Sequence, residues 1–200
     1  MWSKMKEQSL EGVLDILDNT KDSPILFIVS QRFNSHLNLL LLRHLVKDKG
    51  LKGVYLIVDR PSDIMVRLLT VKRINPERVI FLDPISKVSG LASPHAMKQV
   101  KLMDNPFFSE VEQIMSDEGH DKLVKEGVSF IIVDNLSALS CYVDVETMSS
   151  LLKALSRWKD LTVFLCADDI NTNVTAKAMT VCCKEVRFNE HMVPEVVRKR

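Results

Sequence analysis

The sequence predicts a single α/β domain in which a mostly parallel central sheet is covered by helices on both faces. Three observations lead to this fold class. Short runs rich in valine and isoleucine are apolar at nearly every position, as in strands buried on both faces. Longer segments with helical periodicity alternate with these runs, which is typical of layered α/β domains. The 200 residues are enough to bury one core of this kind.

Six apolar runs are predicted to be strands, and the helical segments between them provide right-handed crossovers. We expect the strands that end at Ser30 and Val133 to be adjacent and central, because each is apolar at all but one position. The predicted strands are Ile25–Ser30, Gly53–Val58, Arg78–Leu82, Val128–Val133, Leu161–Cys166 and Glu185–Phe188.

Three segments show the periodicity of helices. Asn34–Lys47 is so rich in leucine that only a narrow strip is polar, which predicts a helix buried on more than one side. Asp63–Ile74 follows Pro61, with Ser62 as the candidate N-cap. Asp144–Trp158 places its apolar side chains on one stripe, which predicts core packing.

Two regions interrupt the pattern within the single domain expected for residues 1–200. Residues 84–106 contain three prolines and several serines, which predicts a long surface loop. Residues 190–200 end in a basic sequence after Pro194 and are predicted to be a C-terminal tail. The compact core is therefore expected at about residues 24–189.

Composition excludes several classes of protein. The net charge of +1 provides no general attraction to nucleic acid, and the basic residues are dispersed without interleaved aromatic residues, so nucleic-acid binding is not expected. No apolar run approaches the ~18 residues that a membrane span needs, so no membrane association is expected. Charges interrupt the N-terminal apolar residues, and no cysteine pair has C-x-x-C spacing, so we expect a cytoplasmic protein.

The segment around Ser30 has the strand–polar turn–helix order of a phosphate-binding loop. The pattern G-x-x-x-x-G-K-[ST] requires glycines for close backbone approach, a lysine for charge and a hydroxyl for magnesium. When that pattern is aligned with this segment, serines replace both glycines, and no lysine or hydroxyl stands at the last two positions. The aligned residues are Ser30, Ser35, His36 and Leu37.

Other segments carry a resemblance to a known family. "VSFIIVDNLSAL", residues 128–139, resembles the magnesium-side strand of RecA-type ATPases, especially the KaiC-like branch. "GVYLIVDRPSD", residues 53–63, resembles the second strand of that family, which delivers acidic catalytic residues. "DLTVFLCADD" and "VCCKEVRF" resemble its last strands. The resemblance covers about residues 24–189 and implies a RecA-like three-layer fold.

The resemblance implies a vestigial nucleotide site formed by Ser30, Ser35, His36, Leu37, Asp59 and Asp134. Asp134 matches the family's magnesium-side aspartate and is the candidate metal ligand, although alone it would hold an ion weakly. Asp59 matches the first of two catalytic acids, and Arg60 replaces the second. Both aspartates also suit ordinary turns. No cofactor is expected, since the changes weaken ATP and Mg²⁺ binding to about the millimolar range or beyond.

Three functions are consistent with these residues. The first is a non-catalytic RecA-like domain that acts as a scaffold by binding a protein partner or another copy of itself. The second is a nucleotide-binding protein whose altered phosphate site uses the helix N-terminus near residues 34–36. The third is a small-molecule α/β enzyme of unrelated mechanism, although no G-x-S-x-G or glycine-rich dinucleotide motif is present. Residues 30–36 are not expected to form the complete phosphate cradle, because serines replace both glycines; a complete cradle would favour the second function.

Overall fold

The computed structural model describes residues 12–19, 23–84, 86, 100–102, 116–168 and 172–199. Within these residues, eight strands form one sheet. The six predicted strands are all present, within two residues of the predicted limits. The strands are β1 (Ile25–Val29), β2 (Lys52–Ile57), β3 (Val79–Asp83), β4 (Val100–Leu102), β5 (Val128–Asp134), β6 (Thr162–Asp168), β7 (Lys184–Phe188) and β8 (Pro194–Lys199).

The strand order is β4-β3-β2-β5-β6-β1-β7-β8, and every neighbouring pair is parallel except the antiparallel pair β7–β8. The prediction that β1 and β5 are adjacent was wrong, because β6 lies between them and pairs with both. Both strands are nevertheless interior. An apolar run indicates that a strand is buried on both faces, but it does not indicate which strands lie beside it. The sequence therefore predicted the interior positions of β1 and β5 without identifying their neighbours.

Helices cover both faces of this sheet. The helices are α1 (residues 12–18), α2 (Gln31–Leu42), α3 (Ser62–Val71), α4 (Asp117–Lys125), α5 (Leu136–Leu139), α6 (Val145–Arg157) and α7 (Thr172–Val181). One apolar cluster joins α1, α2 and α3 to one face of the sheet. A second cluster joins α4, α5, α6 and α7 to the other face. The result is the predicted three-layer α/β arrangement. No helix in the described ranges is long and apolar enough to cross a membrane.

The helix predicted at Asn34–Lys47 begins three residues earlier and ends at Leu42. A wider π-helical turn, Arg43–Asp48, follows it, and the Lys49 N–H donates to the His44 carbonyl at 2.9 Å. Gly50 then adopts a φ of +68°, the left-handed conformation that commonly follows a helix end.

Three further expectations require correction. Ser62 is the first residue of α3 and not its cap, and its N–H donates to the Asp83 carboxylate at 2.7 Å. The predicted loop at residues 84–106 contains β4, although most of that range lies outside the described residues. The predicted tail at residues 190–200 contains β8, because Pro194–Lys199 pairs with β7.

Candidate functional site

The connection between β1 and α2 consists of a single residue. Ser30 is extended, with φ of −58° and ψ of 137°, and α2 begins at Gln31. The Phe33 N–H donates to the Ser30 carbonyl at 2.8 Å, which closes the first turn of the helix. A phosphate cradle needs several successive N–H groups in a non-helical loop. Residues 31–36 are helical here, so they do not form that loop, as predicted.

The helix separates residues that the phosphate-loop alignment had grouped. The Ser35 hydroxyl accepts a hydrogen bond from the Arg60 guanidinium, so Ser35 contacts the carboxyl edge of the sheet. The His36 side chain is exposed. Leu37 is completely buried in the core between α2 and the sheet. Successive helical residues point about 100° apart, which is why these three side chains diverge.

Asp134 ends β5 and is completely buried. One carboxylate oxygen, Oδ2, accepts a hydrogen bond from the Tyr55 hydroxyl of β2. The other, Oδ1, accepts from the Asn34 side-chain amide of α2 at 2.6 Å. The Arg60 guanidinium lies 4.0 Å from Oδ2. Asp134 is therefore tied to β2, to α2 and to the β2–α3 connection.

The surroundings of Asp134 raise its pKa to about 6. Burial is the main cause, and the negative charge of Asp59 adds to it, while the hydrogen bond from Tyr55 and the charge of Arg60 act in the opposite direction. Burial also raises the pKa of Tyr55 well above its ordinary value, and the Asp134 charge adds to this shift. Tyr55 is thus held as a neutral hydrogen-bond donor.

Asp59 and Arg60 form the exposed side of the same cluster. The Arg60 Nε lies 2.7 Å from Asp59 Oδ1, and a second contact joins Nη2 to Oδ2. This pairing raises the pKa of Arg60. Arg60 therefore engages Asp59. The carboxylate of Asp59 is committed to this ion pair.

A polar chain that sequence reasoning missed continues from Asp134 into the core. The Asn38 amide donates to the Asn34 side-chain oxygen at 3.3 Å. The Cys166 thiol of β6 donates to the Asn38 side-chain oxygen at 3.2 Å. All four residues are buried. The sequence did contain a signal for this chain, since two asparagines stand four residues apart in a leucine-rich helix. Buried amides without hydrogen-bond partners would destabilise the core, so partners for both could have been expected.

Asn135 follows β5 and is the N-cap of α5. The Asn135 side-chain oxygen accepts from the N–H groups of Ser137 and Ala138 at 2.7 and 3.3 Å. Its amide donates to Asp168 Oδ1, at the end of β6, at 2.8 Å. The peptide bond between Asp134 and Asn135 is cis. The side chain that stabilises the turn is therefore that of Asn135 and not that of Asp134, which faces the interior.

The described residues contain no group of three or more histidine, cysteine, aspartate or glutamate side chains arranged to hold a metal ion. The negative charge of Asp59 helps to raise the pKa of Asp134, and the Arg60 guanidinium pairs with Asp59 and lies 4.0 Å from Asp134. The site is therefore a pair of carboxylates that face one guanidinium, with Asp59 directly paired to it.

Comparisons with known proteins address the fold. No protein-family model matches the sequence, and no curated protein matches it. A KaiC-like protein, PH0186 of Pyrococcus horikoshii, is 9% identical with a TM-score of 0.58, covering 88% of this chain and 78% of its own. FlaH of Methanocaldococcus jannaschii is 11% identical with a TM-score of 0.55 and the same coverage. The chain has a RecA-like three-layer α/β fold.

Another solved structure matches over almost the full length of both chains. The uncharacterized protein PH0321 of Pyrococcus horikoshii is 11% identical with a TM-score of 0.63 and covers 96% of this chain and 99% of its own. It was solved in complex with an unknown peptide. The identities are low, so these neighbours establish the RecA-like architecture alone.

Proposed function

We propose that this RecA-like domain is a non-catalytic scaffold that has lost ATP hydrolysis and acts by binding a protein partner or another copy of itself. One observation carries the proposal. Arg60 fills the space between α2 and the ends of β2 and β5, where it contacts Asp59 and Ser35 and lies 4.0 Å from Asp134. In the RecA-like arrangement this is the edge of the sheet that faces the phosphates.

The groups that remain at this edge do not suit Mg²⁺-ATP. The lysine position is the exposed His36, and the magnesium-hydroxyl position is Leu37, which lies in the core. Both oxygens of Asp134 already accept hydrogen bonds. Each charge-assisted hydrogen bond that the chain cannot make to a phosphate weakens binding by about 1.5–3 kcal/mol. Phosphoryl transfer depends mainly on positioning and charge neutralisation, so hydrolysis disappears together with these groups.

Isothermal titration calorimetry with Mg²⁺-ATP, together with a phosphate-release assay, tests the loss of nucleotide chemistry. We expect affinity no better than about millimolar and no turnover above background. The double variant His36→Lys/Leu37→Thr is expected to gain no affinity, since both positions lie beyond the first turn of α2 and Leu37 is buried in the core. Micromolar binding by the natural chain, abolished by Asp134→Ala, would support the altered nucleotide site and refute the scaffold.

The partner function needs a separate measurement. PH0321, whose structure matches almost the whole of this chain, was solved with a bound peptide. This supports the proposal that the present chain binds a segment of a protein. Sedimentation velocity tests self-association, and selection from a displayed random-peptide library tests binding of a peptide. We expect either a concentration-dependent oligomer or a selected peptide whose binding calorimetry confirms. A strictly monomeric chain that selects no peptide would contradict the proposal.

A further inference from the structure

The helix α3 exposes apolar side chains on the face that points away from the sheet. The apolar side chains that it buries in the core are Met65, Val66 and Leu69. On the opposite face, Ile64 is 47% exposed and Val71 is 76% exposed, and Leu68 between them is half-buried. These three residues form the α3 stripe. They are four and three positions apart, so they lie along one line of the helix surface.

Folding of the domain does not account for the α3 stripe. Ile64 and Val71 have β-branched side chains, which form helices less readily than straight-chain residues. At these exposures they also add little buried surface to the core. Apolar residues at spacings of four and three are, however, the pattern by which one helix packs against another. The stripe therefore suits a helix that the described residues do not supply.

Two cations flank the α3 stripe. When its residues occupy the a and d positions of a heptad, Arg67 falls at g and Lys72 at e, one on each side. Both are exposed, and neither has an ion-pair partner among the residues that the structure describes. Asp63 is the one acid of α3, and it does not pair with Arg67. Both cations can therefore pair with carboxylates from another molecule.

Charge distinguishes between two kinds of partner. Side chains at e and g face those of the opposing helix and determine which helices pair. A second α3 would bring Arg67 and Lys72 against the same two cations, and like charges repel in either orientation. A helix with aspartate or glutamate at these positions complements them. The α3 stripe thus favours a different protein over another copy of this chain.

We propose that the α3 stripe is the docking surface for an acidic amphipathic helix of a partner protein. The inference rests on the proposed scaffold function and deepens it by naming the surface and the chemistry of the partner. Apolar side chains of the partner helix pack against Ile64, Leu68 and Val71, and its carboxylates face Arg67 and Lys72.

A designed peptide is the probe, because the partner is unidentified. It is a fluorescent helix-forming peptide of about three heptads, with leucine at a and d and glutamate at e and g, so that its own copies repel one another. A matched peptide has lysine at e and g. Fluorescence anisotropy measures binding to the full natural chain and to the stripe variant, Ile64→Asp/Val71→Asp. The control variant, Val124→Asp/Val145→Asp, adds the same charges at exposed valines of α4 and α6.

We expect the natural chain and the control variant to bind the glutamate peptide saturably and not to bind the lysine peptide. The stripe variant should bind at least about tenfold more weakly, because its carboxylates would be buried in an apolar contact. Absence of binding by the natural chain, or equal binding by the stripe variant, overturns the proposal. Arg67→Glu/Lys72→Glu keeps the stripe and should bind the lysine peptide instead, which decides the question if circular dichroism shows that the stripe variant is unfolded.

Sedimentation velocity of the natural chain and the stripe variant tests the other occupant. We expect the two chains to sediment alike, whereas an oligomer that dissociates only in the stripe variant would show that a second copy binds there and overturn the proposal. The two proposals fail separately. Mg²⁺-ATP binding would refute the scaffold without changing peptide binding, and peptide binding that survives in the stripe variant would refute the α3 surface and leave the scaffold intact.

Discussion

The side-chain amide nitrogen of Asn34 lies 2.6 Å from Oδ1 of Asp134, across 100 positions of sequence. This hydrogen bond ties the first turn of α2 to the end of β5, and both partners are buried. A polar pair at this depth stabilises the fold only while it is intact, since either partner alone would be left without a hydrogen bond. The candidate site is thus also part of the core.

Removal of the Asn34 amide should destabilise the chain. Asn34→Ala leaves Oδ1 of Asp134 buried without its donor and is expected to lower the free energy of unfolding by about 1–3 kcal/mol. Urea unfolding followed by circular dichroism measures the change. His36→Ala, on the exposed side of the same helix, is the control and should change stability by less than about 0.5 kcal/mol. Equal effects of the two variants would contradict the importance of the buried pair.

Asp134 should make stability depend on pH. Its folded-state pKa of about 6 lies above the ordinary 3.8, so the folded chain holds the proton more tightly than the unfolded chain. The resulting stabilisation is fully present below pH about 4 and is lost as pH rises through about 6, a change on the order of 3 kcal/mol. Asp134→Asn should lack this component. Urea unfolding across this window compares the two chains, and identical pH profiles would refute the shift.

Gly53 should not tolerate a larger side chain. It pairs with Phe130 across β2 and β5, and a Cβ atom at position 53 would overlap the Phe130 ring. Gly53→Ala is expected to cost about 1–3 kcal/mol in the free energy of unfolding. A double-mutant cycle with Phe130→Leu should recover part of that cost. Gly127→Ala is the control: its φ of +76° strains an alanine, but no atom lies within 4 Å, so Phe130→Leu should not relieve it.

Asn135 should stabilise the turn that follows β5. Asn135→Ala removes the cap of α5 and the hydrogen bond to Asp168, with an expected loss of about 1–2 kcal/mol in the free energy of unfolding. Asn135→Ser retains a capping oxygen without the amide, and its stability should fall between those of the natural chain and Asn135→Ala. Thermal unfolding of the three chains ranks them. A serine variant no more stable than the alanine variant would show that capping contributes little.

Much of the fold could be predicted because each element carries its own local pattern. The β5 strand is apolar except at Ser129 and Asp134, and the leucines of α2 recur at helical spacing, so both elements were recognisable separately. Residues 30–36 lack the glycines of a phosphate cradle, and the cradle is replaced by the start of a helix. The β8 strand was missed because its charged, proline-initiated sequence has the character of a protected sheet edge rather than a buried strand.

The sequence alone determined the alternation of strands and helices, the absence of glycine and lysine from residues 30–37 and the positions of Asp59 and Asp134 at strand ends. Only the tertiary structure decided that β6 separates β1 from β5, and that Asp134 faces Tyr55, Asn34 and Arg60. The reason is physical. The periodicity of apolar residues indicates which side chains are buried, and it can be read within a single helix or strand. The identity of a side chain's hydrogen-bond partner depends on the order in which distant elements pack, and no local pattern encodes that order.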